Sequence, residues 1–239
     1  MTSSRHTTSA SPRNARIGKS PTKRAPELTC SSCGVIACKS ADEDRYPRFC
    51  LTTRTSGELC DEAFSCYTGN EEEGRISRVS AGIEGEFYGR MTRVEETIEF
   101  IHRMGYKKIG IATCVGLLDE TKIFVRILAA HELDYFVVGC KVGAIDKSDI
   151  GVPDSQKLNR GSGHESMCNP ILQAKSLEAH HTDLNILIGL CVGHDTLFIK
   201  HSAAPTTVMI VKDRVLGHNP VQALYLATSG YSRFKEELS

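Results

Sequence analysis

The amino-acid sequence predicts an α/β fold, in which a Rossmann-like, mostly parallel sheet carries helices on both faces. From about residue 76 onward, patterns typical of strands alternate with patterns typical of helices, and this alternation indicates a parallel sheet. The runs IGIA, YFVV, ILIGL and VMIV are apolar throughout, as expected for strands that are buried on both faces.

A helix opens this region, because Thr92-Arg-Val-Glu95 has the spacing of a capping box and Gly105 is suited to end a helix. The elements expected after it are a strand Lys107–Thr113, a helix from about Leu117 to His131, a strand Leu133–Gly139, a helix from Pro170 to about His181, a strand Leu184–Leu190, a short helix from about Thr196, a strand Thr206–Val211 and a helix Pro220–Thr228. Residues 141–168 form a long irregular loop, and loops of that length in compact domains are often functional.

The chain of 239 residues has room for one well-buried α/β domain and an appendage. Residues 1–26 contain six basic residues and no acidic one, so we expect a disordered basic leader. Residues 27–75, which we call the N-terminal cysteine module, have too little apolar pattern to bury a core. They need a metal or another cross-link to be stable. Residues 76–239 form the predicted α/β domain.

Composition narrows the classes of function. The net charge is zero, and without a global basic field we expect no nucleic-acid partner. No apolar run approaches the roughly 18–20 residues of a membrane span, so we expect no membrane partner. The absence of P-loop, GxGxxG and GxSxG motifs gives no support to hydrolases or ordinary dinucleotide enzymes.

The ten cysteines, without the apolar core of a secretory signal, indicate a reducing compartment. We expect the cytoplasm, or an organelle matrix if the basic leader is a transit peptide. In such compartments, clustered cysteines more often bind metal or perform redox chemistry than form structural disulfides.

A first set of cysteines lies in the N-terminal cysteine module, with the spacing Cys30-x2-Cys33-x4-Cys38-x11-Cys50. A Cys-x2-Cys turn lets two sulfurs reach one metal ion, so the four thiolates suit zinc or an iron–sulfur cluster. The alternative is a set of unrelated reduced thiols. Cys60 and Cys66 are weaker candidates, either spare thiols or a local redox pair.

A second set follows the predicted strands, because three of them run directly into Cys114, Cys140 and Cys191. Parallel strands bring these thiols to one carboxyl edge, where open α/β sheets bind their ligands. The long loop delivers Cys168 to the same region, just before the helix start Asn169-Pro170. Four thiolates again suit zinc or an iron–sulfur cluster. The alternative is that these cysteines only pack in the core.

Two histidines are additional candidate ligands. His194 follows Cys191 by three residues, and His218 precedes Asn-Pro just as Cys168 does. The alternative is that both histidines cap helices or pack. Lys212 and Arg214 follow the last strand, where they could bind an anion or be solvated.

Several longer motifs carry a family resemblance. They are Cys30-x2-Cys33-Gly-x3-Cys38, TRVEE (92–96), IATCVGLLDE (111–120), MCNPILQA (167–174), GLCVGHDTLF (189–198) and VKDRVLGHNP (211–220). Over about residues 28–228 the chain resembles a family of uncharacterised, cysteine-rich proteins of bacteria and archaea that are described as predicted metal-binding proteins. The resemblance implies metal binding and no particular reaction.

These observations favour an iron–sulfur redox protein with one cluster, of the 4Fe–4S type, in each set of cysteines. A redox partner protein or a small-molecule substrate would then approach over the 141–168 loop. The alternative is a non-catalytic zinc protein with a structural knuckle and a site that stores, senses or transfers a metal ion. The sequence assigns no catalytic residue and leaves open whether the chain is an enzyme.

Overall fold

The structure is a computed structural model that describes residues 26–161 and 163–230. They form two compact units that divide within one helix, between Ser65 and Cys66. Residues 1–25 of the predicted leader lie outside the described residues. The predicted boundary near residue 75 lies inside the third helix.

The first unit consists of short helical turns. They are the 3-10 turns Cys30–Ser32, Ala37–Lys39 and Glu43–Arg45, then helix α1 (Leu51–Arg54) and the first part of α2 (Gly57–Gly69). Among the described residues of this unit only Ala37 is buried. The unit therefore has almost no apolar core, as its composition indicates.

The second unit contains the sheet. Its elements after α2 are α3 (Glu71–Phe87), α4 (Arg93–Met104), β1 (Lys108–Thr113), α5 (Leu118–Ala130), β2 (Asp134–Gly139), α6 (Pro170–Ala179), β3 (Leu184–Ile188), α7 (His194–His201), β4 (Thr206–Ile210) and α8 (Val221–Tyr225). None of the helices that the structure describes is long and apolar enough to cross a bilayer.

The four strands form one sheet in the order β2-β1-β3-β4, with every neighbouring pair parallel. Ile111 of β1 pairs with Val137 of β2 and Ile186 of β3. The predicted α/β class is confirmed. Right-handed crossovers place α5 on one face and α6 and α7 on the other. Because the chain reverses direction across β1, the carboxyl ends of β1 and β3 form the crevice where such sheets bind ligands.

The predicted start and end of α4 are confirmed. The Thr92 side chain accepts the Glu95 N–H, and the Glu95 carboxylate accepts the Thr92 N–H at 2.7 Å. Gly105 ends the helix at φ 68°, a left-handed conformation that glycine adopts without strain. Ile98 and Ile101 of the same helix are buried in the core beside the sheet.

The helix α3 was not predicted. The acidic run at Glu71–Glu73 suggests a solvated linker, but it forms the first turn of α3. The Asn70 side chain accepts the N–H groups of Glu72 and Glu73, and acidic residues near a helix N-terminus interact favourably with its dipole.

Two boundaries near the carboxyl edge also differ from prediction. The strand β3 ends at Ile188, because Gly189 has φ +63° and a Cβ there would collide with the Leu117 side chain. The last helix is only Val221–Tyr225. No side chain caps it, so the Asn-Pro pair after His218 does not begin a helix in the way that Asn169-Pro170 does.

Candidate metal centre at the carboxyl edge of the sheet

Three thiols follow the strand ends as expected. Cys114 comes directly after β1, Cys140 directly after β2, and Cys191 three residues after β3. The Cys114 N–H donates to the Ile188 carbonyl at 3.0 Å, which extends the pairing of β1 and β3 by one residue. Cys114 and Cys140 are buried, and Cys191 is half-buried. With Cys168 they form what we call the carboxyl-edge site.

The fourth thiol, Cys168, is in direct contact with Cys140. Their sulfur atoms are hydrogen-bonded at 3.8 Å. The Asn169 N–H donates to the Cys140 carbonyl at 2.8 Å, so the two backbones are also joined. Asn169 in turn caps α6 by accepting the Leu172 N–H, with Pro170 in the first helical position. The predicted helix start therefore places Cys168 against the end of β2.

The hydrogen bond between Cys140 and Cys168 shifts the pKa values of the two thiols in opposite directions. The hydrogen bond with Cys140 is the main cause that lowers the pKa of Cys168, and the charges of Lys141 and His194 lower it further. The same hydrogen bond, together with burial, raises the pKa of Cys140. Cys168 is thus the sulfur that ionises first.

Backbone N–H groups of the turn after β1 point at two of the sulfurs. The Val115 N–H donates to Cys140 Sγ, and the Gly116 N–H donates to Cys114 Sγ, each at 3.4 Å. Hydrogen bonds of this kind favour a charged sulfur over a neutral thiol. The Val115 N–H thus offsets part of the rise in the pKa of Cys140 that Cys168 and burial cause.

Positive side chains surround the thiols. Arg214 Nη2 lies 3.0 Å from Cys191 Sγ, and this hydrogen bond raises the pKa of the guanidinium, with smaller contributions from the charges of Cys114 and Cys168. Lys212 Nζ and Cys114 Sγ would each lie 3.8 Å from a Cβ at Gly116. Lys141 anchors its ammonium on the Ser166 carbonyl at 2.6 Å. These cations offset the negative charge that several thiolates would gather.

The two candidate histidines occupy different environments. His194 begins α7 and lies close enough to Cys168 to influence its pKa. Its Nδ1 is buried with no hydrogen-bond partner among the described residues. His218 instead accepts the Asp213 N–H through Nδ1 at 3.1 Å, within a tight loop that it helps to close. His194 is therefore better placed than His218 to act as a ligand.

The 141–168 loop is closed upon itself. Its two ends form a short antiparallel ladder, in which Lys147 N–H donates to the Glu165 carbonyl and Met167 N–H to the Ile145 carbonyl. An ion pair joins Lys147 to Glu165 and, with the Asn159 N–H, lowers the pKa of Glu165 to about 2. The stabilisation from this carboxylate is complete above the ordinary glutamate pKa and is lost only as the pH falls towards 2.

The side chain of Lys157 fills the centre of this loop and is only 4% exposed. Its ammonium lies 3.1 Å from Asp146 and 3.0 Å from Asp154.

Changing Lys157 to Met should loosen the loop, because it leaves the Asp146 carboxylate without its buried cation. We expect faster thermolysin cleavage before the exposed Leu158. Lys175→Met, which breaks an exposed pair with Glu178, is the matched control. Equal cleavage rates in both variants would show that Lys157 does not hold the loop.

A buried glutamine supports the strand ends beneath the site. Gln173 of α6 is fully buried, and its Nε2 donates to the carbonyls of Thr113 at 3.2 Å and Val138 at 2.7 Å. It thereby connects α6, which carries Cys168 at its start, to both β1 and β2. Sequence reasoning missed this residue, because a glutamine inside a helix gives no signal that it faces the sheet.

The cysteines of the first unit are mostly exposed. Cys33 Sγ accepts the Ile36 N–H at 3.5 Å, within the predicted knuckle that begins at Cys30. Cys38 and Cys50 both lie near Tyr46, whose pKa is raised mainly by burial and Glu43 and further by these two sulfurs. Cys60 and Cys66 are exposed on α2, six residues apart, and so do not face each other.

In neither set are the ligands arranged around one point. Among residues 26–161 and 163–230, no three Cys, His, Asp or Glu side chains are close enough together to hold a metal ion. The contact between Cys140 and Cys168 is the part of the carboxyl-edge site with coordination spacing: two sulfur ligands of a tetrahedral zinc ion, each at about 2.3 Å, lie about 3.8 Å apart. The donor type and this spacing fit zinc, and Cys114, Cys191 or His194 would have to turn towards the pair.

A separate cavity of about 510 Å³ lies between α3, α4 and the amino end of β4. Ile83 and Phe100 form its apolar floor, and none of the residues that line it is a cysteine or histidine. The candidate metal ligands predicted from the sequence therefore lie outside this cavity.

Comparison with known proteins places the chain in a family. The model of a family described as a protein of unknown function, DUF1847, matches residues 50–209. The chain belongs to this family. A relative from Methanocaldococcus jannaschii, named Uncharacterized protein MJ0455, is 54% identical over 155 residues, which cover 65% of this chain and 78% of the relative. No solved structure matches the chain.

Membership of an uncharacterised family is thus confirmed, whereas the metal-binding character implied by the resemblance stays a prediction. The residues matched by the DUF1847 model include all four thiols of the carboxyl-edge site and Cys50. Cys30, Cys33 and Cys38 lie before the matched residues.

Proposed function

We propose that this chain is a metal-binding protein whose carboxyl-edge site holds a single soft metal ion, for which zinc is the best fit. The observation that carries the proposal is the 3.8 Å separation of Cys140 Sγ and Cys168 Sγ. This is the edge length of a tetrahedral zinc–sulfur site. The site would store, sense or transfer the ion rather than catalyse a reaction.

Cys140 and Cys168 would be the first two ligands, and Cys114 and Cys191 would complete the set. His194 is the alternative ligand to either Cys114 or Cys191, because its buried Nδ1 has no hydrogen-bond partner among the described residues. Thiolates select zinc and other soft ions. Lys141, Lys212 and Arg214 would balance the negative charge of four thiolates on one divalent ion.

An iron–sulfur redox protein with a 4Fe–4S cluster is the second candidate. Hydrogen bonds to the sulfurs and nearby positive charge set the potential of such clusters, and the N–H groups of Val115 and Gly116 supply these hydrogen bonds. Each thiolate of a cluster binds a different iron, so the direct Cys140–Cys168 contact favours the single ion. A redox partner protein or small-molecule substrate would approach over the 141–168 loop.

For the N-terminal cysteine module we propose a structural metal, with Cys30, Cys33, Cys38 and Cys50 as ligands. The support is that the described residues of the first unit bury only Ala37. A unit of this size without a core gains its stability from a metal or another cross-link. We propose a cytoplasmic location, in which the cysteines stay reduced.

The experiment is purification without oxygen, followed by metal and acid-labile sulfide analysis of the full chain. Colourless protein with two zinc ions would support the proposal. Brown protein that absorbs near ~400 nm and contains iron and sulfide would establish the cluster instead. Protein that binds neither zinc nor iron, even after reconstitution in reducing buffer, would rule out both.

A further inference from the structure

The contact between Cys140 and Cys168 supports a second chemistry. Their sulfur atoms are already in contact at 3.8 Å, and a disulfide joins two sulfurs at about 2.05 Å. We propose that Cys140 and Cys168 form a reversible disulfide whose formation excludes metal from the carboxyl-edge site. The exclusion rests on the proposed metal binding, whereas the disulfide itself does not.

The backbone holds this pair together on both sides. The Asn169 N–H to Cys140 carbonyl bond, at 2.8 Å, joins the residue after Cys168 to the end of β2. On the other side, the Met167 N–H donates to the Ile145 carbonyl at 2.8 Å. Since the intervening loop is already closed, joining the two sulfurs restrains little further chain. The pair is thus organised for bond formation within the fold.

Exposure assigns different roles to the two sulfurs. Cys140 is 2% exposed, whereas Cys168 is only partly buried. A small-molecule disulfide from solvent therefore meets Cys168 first. Lys141 and Arg214 lie near the accessible sulfur, and their charge favours the approach of an acidic disulfide such as oxidised glutathione.

The exchange balances in two steps. The Cys168 thiolate attacks one sulfur of the disulfide R–S–S–R, forming Cys168–S–S–R and releasing one thiolate, which takes up the proton lost by Cys168. The Cys140 thiolate then attacks Cys168 Sγ and displaces the second thiolate, which takes up the Cys140 proton. The protein loses two electrons and two protons, and the small disulfide becomes two thiols.

The competition with metal follows from ligand chemistry. Zinc and iron bind cysteine as thiolate, and a disulfide offers neither thiolate. Oxidation would remove two of the four cysteine ligands together. Reduction would restore them, so the carboxyl-edge site would bind metal only under reducing conditions.

The test uses the reduced, metal-free full chain incubated with oxidised glutathione and mapped by peptide mass spectrometry. We expect a crosslink between Cys140 and Cys168. In Cys140→Ser the reaction should stop at glutathione attached to Cys168. In Cys168→Ser the buried Cys140 should stay unmodified. Cys60→Ser, which removes an exposed thiol on α2, should leave the crosslink intact. A chain whose exposed cysteines react while no Cys140–Cys168 crosslink forms would overturn the proposal.

The metal arm uses the double variant C30S/C33S, so that zinc is counted only at the carboxyl edge. After loading with zinc, oxidised glutathione should release one zinc ion per crosslink formed, and a dithiol reductant should restore binding. Crosslinked protein that keeps its zinc would overturn the exclusion. Failure of the reduced variant to bind zinc would contradict the proposed function. The experiment on metal-free protein would still show whether Cys140 and Cys168 form a disulfide.

Discussion

Replacing Cys168 by Ser is expected to abolish stoichiometric zinc binding at the carboxyl edge. The change removes the sulfur that contacts Cys140 and ionises first. Loss of residues that only orient ligands costs 10–100-fold in metal affinity, so losing a ligand should weaken zinc binding by more than roughly 100-fold. The measurement is zinc bound per chain after dialysis against a competing chelator, with wild type and variant treated alike.

Two further variants make this experiment specific. Cys60→Ser removes an exposed thiol that belongs to neither proposed set of ligands and should keep the full zinc content. Arg214→Met keeps all four thiols but removes the guanidinium from Cys191, and should weaken binding by an intermediate 10–100-fold. Retention of all zinc by Cys168→Ser would show that the thiols at the strand ends do not share a metal.

Replacing Gln173 by Leu is expected to destabilise the α/β unit by about 1–3 kcal/mol. Two buried carbonyls lose a donor at once, and each costs about 1–3 kcal/mol when left unpaired. Removal of the Gln173 Oε1, which is buried without a partner among the described residues, offsets part of this cost. Leucine fills similar space, so the packing of α6 changes little. Urea unfolding should show a lower midpoint at an unchanged slope. The strand ends should also loosen, which we expect to weaken zinc binding in the same variant.

The control for this change is Gln156→Leu. Gln156 is exposed in a 3-10 turn of the long loop, where a substitution should alter stability by less than about 0.5 kcal/mol. If Gln173→Leu unfolds at the same urea concentration as the control, the hydrogen bonds to Thr113 and Val138 are not what holds the strand ends.

Local signals in the sequence predicted much of the fold. The capping box at Thr92 and the Asn169-Pro170 helix start both act through near neighbours in the chain, so their spacing was informative. The strand order depends on which apolar runs pair, and no single run specifies its partner. The start of α3 was missed because three consecutive glutamates resemble a solvated linker until Asn70 is seen to cap them.

In the candidate site, too, local features were predicted from the sequence and contacts between distant residues were not. Parallel strands that end in cysteine were enough to place Cys114, Cys140 and Cys191 at one edge. The sequence left open whether Arg214 binds an anion or is solvated, and it did not indicate that Arg214 contacts Cys191. Its contact with Cys191 spans 23 residues of sequence. The apparent match between His218 and Cys168 was misleading, since Asn219 does not cap a helix.

By itself, the sequence determined the α/β class and the position of three thiols after the ends of parallel strands. The alternation of strand and helix patterns and the residues that follow each strand are properties of short segments. Only the tertiary structure decided that Cys168 contacts Cys140, that Gln173 joins β1 to β2, and that cations surround the sulfurs. These contacts join residues far apart in the chain, and their distances depend on how the long loop closes and how α6 packs on the sheet.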